Sequence, residues 1–241
     1  GYLVGGTTGP ENVAPRKQMF LMRLNERGDT LWKKTYGNSG DEYLKCIVAT
    51  SDKGYMLGGT NGTAGIIIKV NARGDSVWYR SYPAVKEIMK MIQTQDGNYV
   101  MTGNKNMGSH TDVYLAKIDI SGNYVWQKSY GNPYDNYGYS VTEDPSTGNL
   151  YVCGGWRKSN TTPWNSDEYD GFILRTSKLG DSLGIKLLGG NKGEFLNSII
   201  LTSDNNLAAV GVTYSYNGGA NFYLVKMKPT TLDTIWTKNY G

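Results

Sequence analysis

The sequence predicts an all-β fold of repeated four-stranded antiparallel blades, a β-propeller. Three observations predict it: a motif that recurs about every 50 residues, short strands rich in β-branched and aromatic residues, and turns built from Gly, Asp and Asn. The composition agrees, because the 241 residues include 32 glycines, 19 tyrosines and 6 tryptophans, a mixture that suits strands and tight turns.

The repeated motif joins a turn glycine to a tryptophan four residues later, and then to a Tyr-Gly step. The tryptophan positions are separated by 46, 48, 58 and 52 residues, and they are Trp32, Trp78, Trp126, Gly184 (the one substitution) and Trp236. A cation inside an apolar run keeps the same phase in all five copies: Arg23, Lys69, Lys117, Arg175 and Lys226. Agreement of several features in register indicates a true structural repeat.

The second unit divides into four strands. We predict strand A at Leu44–Thr50, strand B at Tyr55–Gly59, strand C at Ile66–Val70 and strand D at Ser76–Tyr82, separated by turns rich in Asp and Gly. Since Gly1–Gly6 matches the strand B segment, the first unit lacks strand A. The sequence therefore predicts 19 strands, as four complete blades and one three-stranded blade.

We predict one propeller domain, residues 1–241, with blade units at 1–37, 38–83, 84–131, 132–190 and 191–241. No spare strand follows the last unit to close a ring, so we expect flanking domains of a longer chain. The strand D tryptophan is expected to insert between neighbouring blades. Its absence at Gly184 predicts a contact that is weaker or filled from elsewhere.

Composition excludes several classes of function. The net charge is only +4 and the cations are scattered, so we expect no nucleic-acid partner, and the absence of a long apolar run predicts no membrane insertion. Two cysteines and one histidine exclude a disulfide scaffold and a Cys/His zinc site. His110 lies in a Gly/Ser/Asn loop without a nucleophile motif, so we predict no catalytic residue, no metal and no cofactor.

One unit fits a known repeat pattern throughout. Asp112-Val-Tyr-Leu-Ala-Lys-Ile-Asp-Ile-Ser-Gly-Asn-Tyr-Val-Trp126 matches it completely, and Asn221-Phe-Tyr-Leu-Val-Lys226 matches its first half. In these units the chain resembles the SBBP-like β-propeller repeat proteins of Bacteroidota, which are secreted or surface-exposed. The resemblance implies an extracellular or cell-surface location and export by the type IX secretion route. It implies no particular activity.

Three recurring charged features have a structural interpretation and a functional one. The strand C cations could line a channel, but we favour pairing with a carboxylate such as Asp112 or Asp170. Acidic residues after the Tyr-Gly step could hold calcium, but lack a calcium-loop spacing: Asp41, Glu42, Asp135 and Glu194. The two Arg-Gly-Asp tripeptides, at residues 27–29 and 73–75, are explained by the turn between strands C and D.

Variation between the units points to the candidate site. We expect the B–C and D–A loops to share one face, and the B–C loops differ most, at Thr7–Gln18, Asn61–Ala64, Asn104–Thr111, Trp156–Tyr169 and Thr213–Ala220. We expect these loops to expose aromatic side chains with Asn and Asp neighbours, an arrangement that suits a sugar ring or a peptide. The predicted ligand-binding residues are Trp156, Trp164, Tyr169, Tyr137, Tyr214 and Tyr216. The alternative, that they only pack their own loops, stays open.

These observations predict a non-catalytic binding or scaffolding module whose partner is a glycan or a protein, recognised on the B–C/D–A loop face. The first alternative is an architectural spacer in a multidomain surface protein. The second is a propeller-type lyase, glycosidase or quinoprotein, which would need clustered carboxylates or a metal on one face.

Overall fold

The computed structural model describes residues 1–9, 17–38, 40–159, 168–216 and 219–241. In this part, the chain forms nineteen β-strands, the number that the repeat predicts. Over the same ranges, no helix has the length and apolar character needed to cross a membrane. The chain divides into two compact units, residues 1–93 and 94–241.

The first unit contains a three-stranded sheet, a four-stranded sheet and one further strand. The sheet orders are β1-β2-β3 and β4-β5-β6-β7, and all pairs are antiparallel. The strands are β1 (Tyr2–Thr8), β2 (Gln18–Leu24), β3 (Thr30–Tyr36), β4 (Tyr43–Ala49), β5 (Tyr55–Thr60), β6 (Gly65–Val70), β7 (Ser76–Tyr82) and β8 (Glu87–Gln93). The bounds predicted for the second blade are confirmed to within one residue.

The second unit continues the same pattern. Its antiparallel pairs give the orders β9-β10-β11, β12-β13-β14-β15 and β16-β17-β18-β19. The strands are β9 (Tyr99–Asn106), β10 (Thr111–Ile118), β11 (Tyr124–Tyr130), β12 (Asn136–Glu143), β13 (Leu150–Arg157), β14 (Tyr169–Thr176), β15 (Ser182–Leu188), β16 (Glu194–Leu201), β17 (Leu207–Thr213), β18 (Asn221–Met227) and β19 (Thr234–Tyr240). We call β9–β11, β12–β15 and β16–β19 the third, fourth and fifth blades.

In the first unit, the strand D tryptophan packs on the turn of the next blade. A Cβ atom added to Gly74 would lie 2.9 Å from the Trp32 ring. Gly74 has a φ of +79°, which L-residues rarely adopt. Tyr36 Oη donates to the Gly74 carbonyl at 2.8 Å, and Lys34 Nζ lies 2.5 Å from Asp75 Oδ1. We call this set of contacts, from Trp-x-Lys-x-Tyr to Gly-Asp, the latch.

The second unit repeats the latch between the third and fourth blades. A Cβ atom added to Gly180, whose φ is +81°, would lie 2.9 Å from the Trp126 ring. Tyr130 Oη donates to the Gly180 carbonyl, and Lys128 Nζ lies 2.5 Å from Asp181 Oδ1. The expectation that the tryptophan inserts between blades is confirmed at both positions.

Between the fourth and fifth blades, where Gly184 replaces the tryptophan, the latch has a different composition. The turn position that is glycine elsewhere is Leu232, with a φ of +61°, and its side chain belongs to a buried cluster with Tyr151 and Leu188. Arg175 Nη1 donates to the Thr230 carbonyl of the same turn. The fourth blade thus lacks a large side chain at Gly184, and the fifth blade has one at Leu232. The contact is filled from the other blade, as expected.

The strand C cations have structural partners, but not the ones that the sequence analysis named. Lys69 Nζ lies 2.8 Å from Asp52 Oδ2 and Lys117 Nζ lies 2.6 Å from Asp96 Oδ2, each in the A–B turn of its own blade. Lys226 pairs with Asp204 in the same way. The expected pairing with Asp112 was wrong because five strand residues, about 16 Å, separate it from Lys117.

The latch predicts a large difference between two glycine substitutions. Gly180→Ala places a methyl group against the Trp126 ring, whereas Gly97→Ala, at a matched φ of +82°, meets no atom within 4 Å. We expect Gly97→Ala to cost about 1 kcal/mol for its backbone conformation, and Gly180→Ala to cost about 1–3 kcal/mol more for overpacking. Urea unfolding of both variants measures this, and equal losses would contradict the packing role of Trp126.

The buried lysine of the second blade predicts a pH dependence. Partial burial opposes ionisation of Asp52, but hydrogen bonds from Lys69 and Thr50 outweigh it and lower the pKa of Asp52 from 3.8 to about 2. Its ionised form therefore stabilises the fold above pH 3.8, and this contribution is lost as the pH falls toward 2. We expect Asp52→Asn to lower the free energy of unfolding by about 1 kcal/mol at neutral pH. This value is at the low end for a hydrogen bond to a charged group, because the carboxylate is half exposed.

Near pH 2 the two proteins should unfold at nearly the same denaturant concentration, since the wild-type carboxyl is by then largely protonated. Glu26→Gln, in an exposed turn of the same unit, is the control for removing one negative charge. If Asp52→Asn lost as much stability near pH 2 as at pH 7, the Asp52 carboxylate would not stabilise the fold through its charge.

Candidate functional site

In the second unit, the B–C and D–A loops meet on one face, as the sequence analysis expects. The backbone N–H of Thr111 donates to Asp135 Oδ1 at 2.8 Å, which joins the B–C loop of the third blade to the connection that follows β11. Asn132 Nδ2 donates to the Arg157 carbonyl at 2.7 Å. The N–H of Lys192 donates to Ser215 Oγ at 2.9 Å. We call this side of the second unit the loop face.

A buried ion pair holds the two ends of the longest B–C loop together. Arg157 Nε and Nη2 donate to Glu168 Oε2 at 2.9 and 2.7 Å, and the residues are 7% and 6% exposed. Asp135 Oδ2 lies 3.8 Å from Arg157 Nη1. Burial opposes the charge of the guanidinium, but its hydrogen bonds to the Glu168 carboxylate outweigh this effect and raise the pKa of Arg157. The pair fixes the points where this loop leaves and rejoins the sheet.

An aromatic cluster lies beside the ion pair. The Tyr169 ring is 6.1 Å from the Tyr137 ring and 5.0 Å from the Phe195 ring, between centroids, and the Arg157 guanidinium lies 5.9 Å from the Tyr169 centroid. Tyr169 is 4% exposed, and burial together with Tyr137 raises the pKa of its hydroxyl. The cluster joins the fourth blade to the fifth, because Phe195 belongs to β16.

Buried polar side chains at the start of strand A order the D–A connections. Glu194 Oε1 accepts a hydrogen bond from Thr213 Oγ1 at 2.8 Å, and Glu194 Oε2 accepts one from the Gly190 N–H at 2.9 Å. Asn136 Nδ2 donates to Asn132 Oδ1 at 2.9 Å.

In the first unit, Glu42 Oε1 accepts from the Asn38 N–H at 2.9 Å, as Glu194 does from Gly190. Glu42, Asp135 and Glu194 thus each have a structural contact in the connection before strand A or beside it. Within the described ranges, no group of three or more His, Cys, Asp or Glu side chains is placed to hold a metal ion.

A close contact on the loop face explains why the Tyr-Gly step ends in glycine. A Cβ atom on Gly131 would collide with the Asp112 carboxylate, and one on Gly189 would collide with that of Asp170. The strand C acid and the glycine that ends strand D therefore belong together in the third and fourth blades. Lys158 Nζ lies 2.7 Å from Asp170 Oδ1, and His110 Nε2 lies 3.4 Å from Asp112 Oδ1.

Of the predicted ligand-binding residues, the structure brings Tyr137 and Tyr169 into contact and buries Tyr169. Trp156 and Tyr169 were predicted in a loop and instead lie in β13 and β14, because these strands extend to Arg157 and from Tyr169. Trp156 is half-buried, with its ring 5.6 Å from that of Phe172, and Tyr169 is buried. The expectation of an exposed aromatic group is therefore wrong for Tyr169.

The remaining predicted residues differ in exposure. Tyr137, in β12, and Tyr214 are half-buried, whereas Tyr216 is 45% exposed. Asn221 Nδ2 donates to the Tyr216 carbonyl at 2.7 Å, which fixes the backbone that carries this ring. Trp164 lies outside the described residues. Arg157 was not predicted, although the sequence carries a signal for it, a cation at one end of the longest loop with Glu168 at the other.

Comparisons with known proteins identify the fold. No protein-family model matches the chain, and no curated protein matches it in sequence. Solved structures do match, including a protein of unknown function from Bacteroides caccae (TM-score 0.60, 10% identity, 98% of this chain and 72% of that one).

Two further matches are the Pan2 WD40 domain of Neurospora crassa (TM-score 0.59, 11% identity, 95% of this chain and 63% of that one) and the Dos1 propeller (TM-score 0.61, 10% identity, 93% and 56%). The chain has a β-propeller fold. It spans less than two thirds of the Pan2 and Dos1 structures, and at these identities the likeness shows the fold alone.

The ion pair predicts unequal effects of breaking a buried and a more exposed salt bridge. Arg157→Met leaves the Glu168 carboxylate buried without its partner, so we expect a loss of about 3–5 kcal/mol in unfolding free energy. Lys45→Met breaks a pair with Glu87 in which the side chains are 36% and 25% exposed, and should cost less than about 1 kcal/mol. Urea unfolding measures both, and Arg157→Met/Glu168→Leu should recover most of the larger loss. Similar losses for the two single variants would contradict the importance of burial.

Proposed function

We propose that this chain is a non-catalytic binding or scaffolding propeller that recognises a glycan or protein partner on the loop face of its second unit. The observation that carries the proposal is the combination of a rigid base with an exposed aromatic ring. The base is the buried pair of Arg157 and Glu168 with the Tyr169 cluster, and the ring is that of Tyr216. A preorganised aromatic surface loses little conformational freedom on binding.

The polar groups around Tyr216 support a glycan as the first partner to test. Ser215 precedes Tyr216 in the sequence and Asn221 Nδ2 donates to the Tyr216 carbonyl, and both side chains hold the loop in place. An aromatic face next to fixed polar groups suits a sugar ring, whose axial C–H groups stack while its hydroxyls hydrogen-bond.

The acidic side chains of this face support binding over catalysis. Asp135 accepts a backbone N–H, Glu194 accepts from the Gly190 N–H and the Thr213 hydroxyl, and Glu168 pairs with Arg157. Each of these carboxylates has a structural partner, whereas a general acid or base needs a carboxyl group directed at the substrate. Location at the cell surface or outside the cell is part of the proposal, and cell fractionation tests it.

A glycan array tests the proposal. We expect Tyr216→Ala to weaken the Kd of any sugar that the wild-type protein binds by about two- to tenfold, the contribution of one aromatic contact. Trp164→Ala tests the longest loop in the same way. Tyr124→Ala is the matched control, because Tyr124 is 39% exposed but lies at the start of β11, beside the C–D turn.

The outcomes separate the candidate functions. Binding that Tyr216→Ala weakens and Tyr124→Ala does not would support a carbohydrate site on the loop face. Sugar binding that neither Tyr216→Ala nor Trp164→Ala changes would show that the site lies elsewhere. Absence of any sugar signal would leave a protein partner or an architectural role, and the partner would then be sought by cross-linking.

A further inference from the structure

A polar cavity lies between the first and second blades, inside the first unit. Its volume is about 230 Å³, and its lining includes Gln18, Tyr36 and Asn38 on one side and Ile68, Ser76 and Tyr79 on the other. Asn38 and Ser76 are exposed, so the cavity opens to solvent. At about 30 Å³ per molecule it has room for about seven waters, or for one small ligand such as a sugar ring.

The two tyrosine side chains of the cavity are held in place before any ligand binds. Tyr36 is fixed by its latch hydrogen bond. The Tyr79 hydroxyl hydrogen-bonds with the side chains of Asn38 and Asn61. Ile68 is 2% exposed and so lies at the base of the cavity. The cavity therefore combines aromatic and aliphatic surface with fixed polar groups, as small-molecule sites do.

Two further polar side chains of the lining have hydrogen-bonding groups to spare. Within the described part of the chain, the side chains of Gln18 and Ser76 form no hydrogen bond. The amide of Gln18 and the hydroxyl of Ser76 each combine a donor with an acceptor. They match the hydroxyl groups of a sugar, which also donate and accept.

The charges at the cavity favour a neutral ligand. None of its described lining residues is charged. Behind the lining residue Gly37 lies Glu42, which is 1% exposed, and a Cβ atom on Gly37 would collide with Glu42 Oε2. Burial and, less strongly, the charge of Glu42 raise the pKa of Tyr79, so the field of Glu42 reaches the cavity wall. This field disfavours an anion, and the lining offers a cation no group to pair with.

The packing of the blades does not require these polar residues. At the matching repeat positions between the third and fourth blades, Asp112 replaces Gln18 and Ile185 replaces Tyr79. The latch is nevertheless the same at both places, with Tyr36 or Tyr130 bound to the turn glycine. Because the scaffold repeats and the lining differs, the lining points to a binding role.

We propose that the cavity between the first and second blades binds one neutral sugar ring, free or at the end of a glycan. The C–H groups of the ring contact Tyr79 and Ile68, and its hydroxyls hydrogen-bond with Gln18, Asn38 and Ser76. The site is separate from the loop face of the second unit, and it does not depend on sugar binding there.

Ligand-observed NMR of the full chain with methyl hexopyranosides tests the proposal. We expect at least one of the methyl glucosides, galactosides and mannosides to bind with a Kd of about 1–10 mM. Glucuronic and galacturonic acid should bind at least about fivefold more weakly, because of the charge of Glu42. Neutral oligosaccharides that end in the bound hexose then separate the two sources. Retained binding identifies a glycan end and lost binding a free sugar, and both fit the proposed chemistry.

Two substitutions locate the site. Ser76→Leu fills the mouth of the cavity and should weaken hexoside binding by about tenfold or more. Gln18→Ala removes one hydrogen-bonding partner and should weaken it by about two- to tenfold. Ser182→Leu is the matched control, because Ser182 is also exposed and has the same repeat position in the fourth blade. It should bind like the wild type.

Three results would overturn the proposal. The first is a wild-type protein that binds no methyl hexoside at up to about 50 mM. The second is hexoside binding that Ser76→Leu and Gln18→Ala leave unchanged. The third is tighter binding of the uronic acids than of the neutral sugars.

Tyr216→Ala separates this site from the loop face. It should leave hexoside binding in the cavity unchanged, because Tyr216 belongs to the other unit. A sugar signal that Tyr216→Ala abolishes and Ser76→Leu retains would support the loop face and overturn the cavity as a sugar site.

Discussion

The structure depends on the contact between a strand D tryptophan and the turn glycine of the following blade. Strands of one blade can pair without it, but two blades stay in register only if something fills the space between a flat sheet and a tight turn. Trp32 and Trp126 fill that space, and Gly74 and Gly180 leave room for the ring. The tyrosine hydroxyl and the lysine then fix the orientation, by bonds to the same dipeptide.

The fourth blade shows that the constraint is on volume and not on residue type. Gly184 removes the ring, and Leu232 places a large side chain where the other turns have glycine. Leu232 adopts a φ of +61°, which is unfavourable for a leucine, so burial of its side chain has to offset the strain of the backbone. A large group on either side satisfies the packing, whereas a large group on both sides or on neither would not.

The strands could be predicted from the sequence because they depend on local patterns, and the turn glycines for the same reason. The partners of the buried lysines could not be predicted in this way. Lys117 has carboxylates near both ends of its strand, and only the three-dimensional distance shows that it pairs with Asp96. Tyr169 was predicted as a ligand-binding residue because it borders a long loop. Its burial depends on Phe195, a residue of another blade that nothing in the local sequence indicates.

The two Arg-Gly-Asp tripeptides show the same limit most directly. Residues 25–29 and 71–75 form turns with the same hydrogen bonds from one asparagine. Gly74 is nevertheless buried beneath Trp32, and Asp75 is paired with Lys34, whereas Gly28 has open space around it. The same tripeptide in the same local structure thus has two different environments, and at Gly74 the difference comes from Trp32, a residue of another blade.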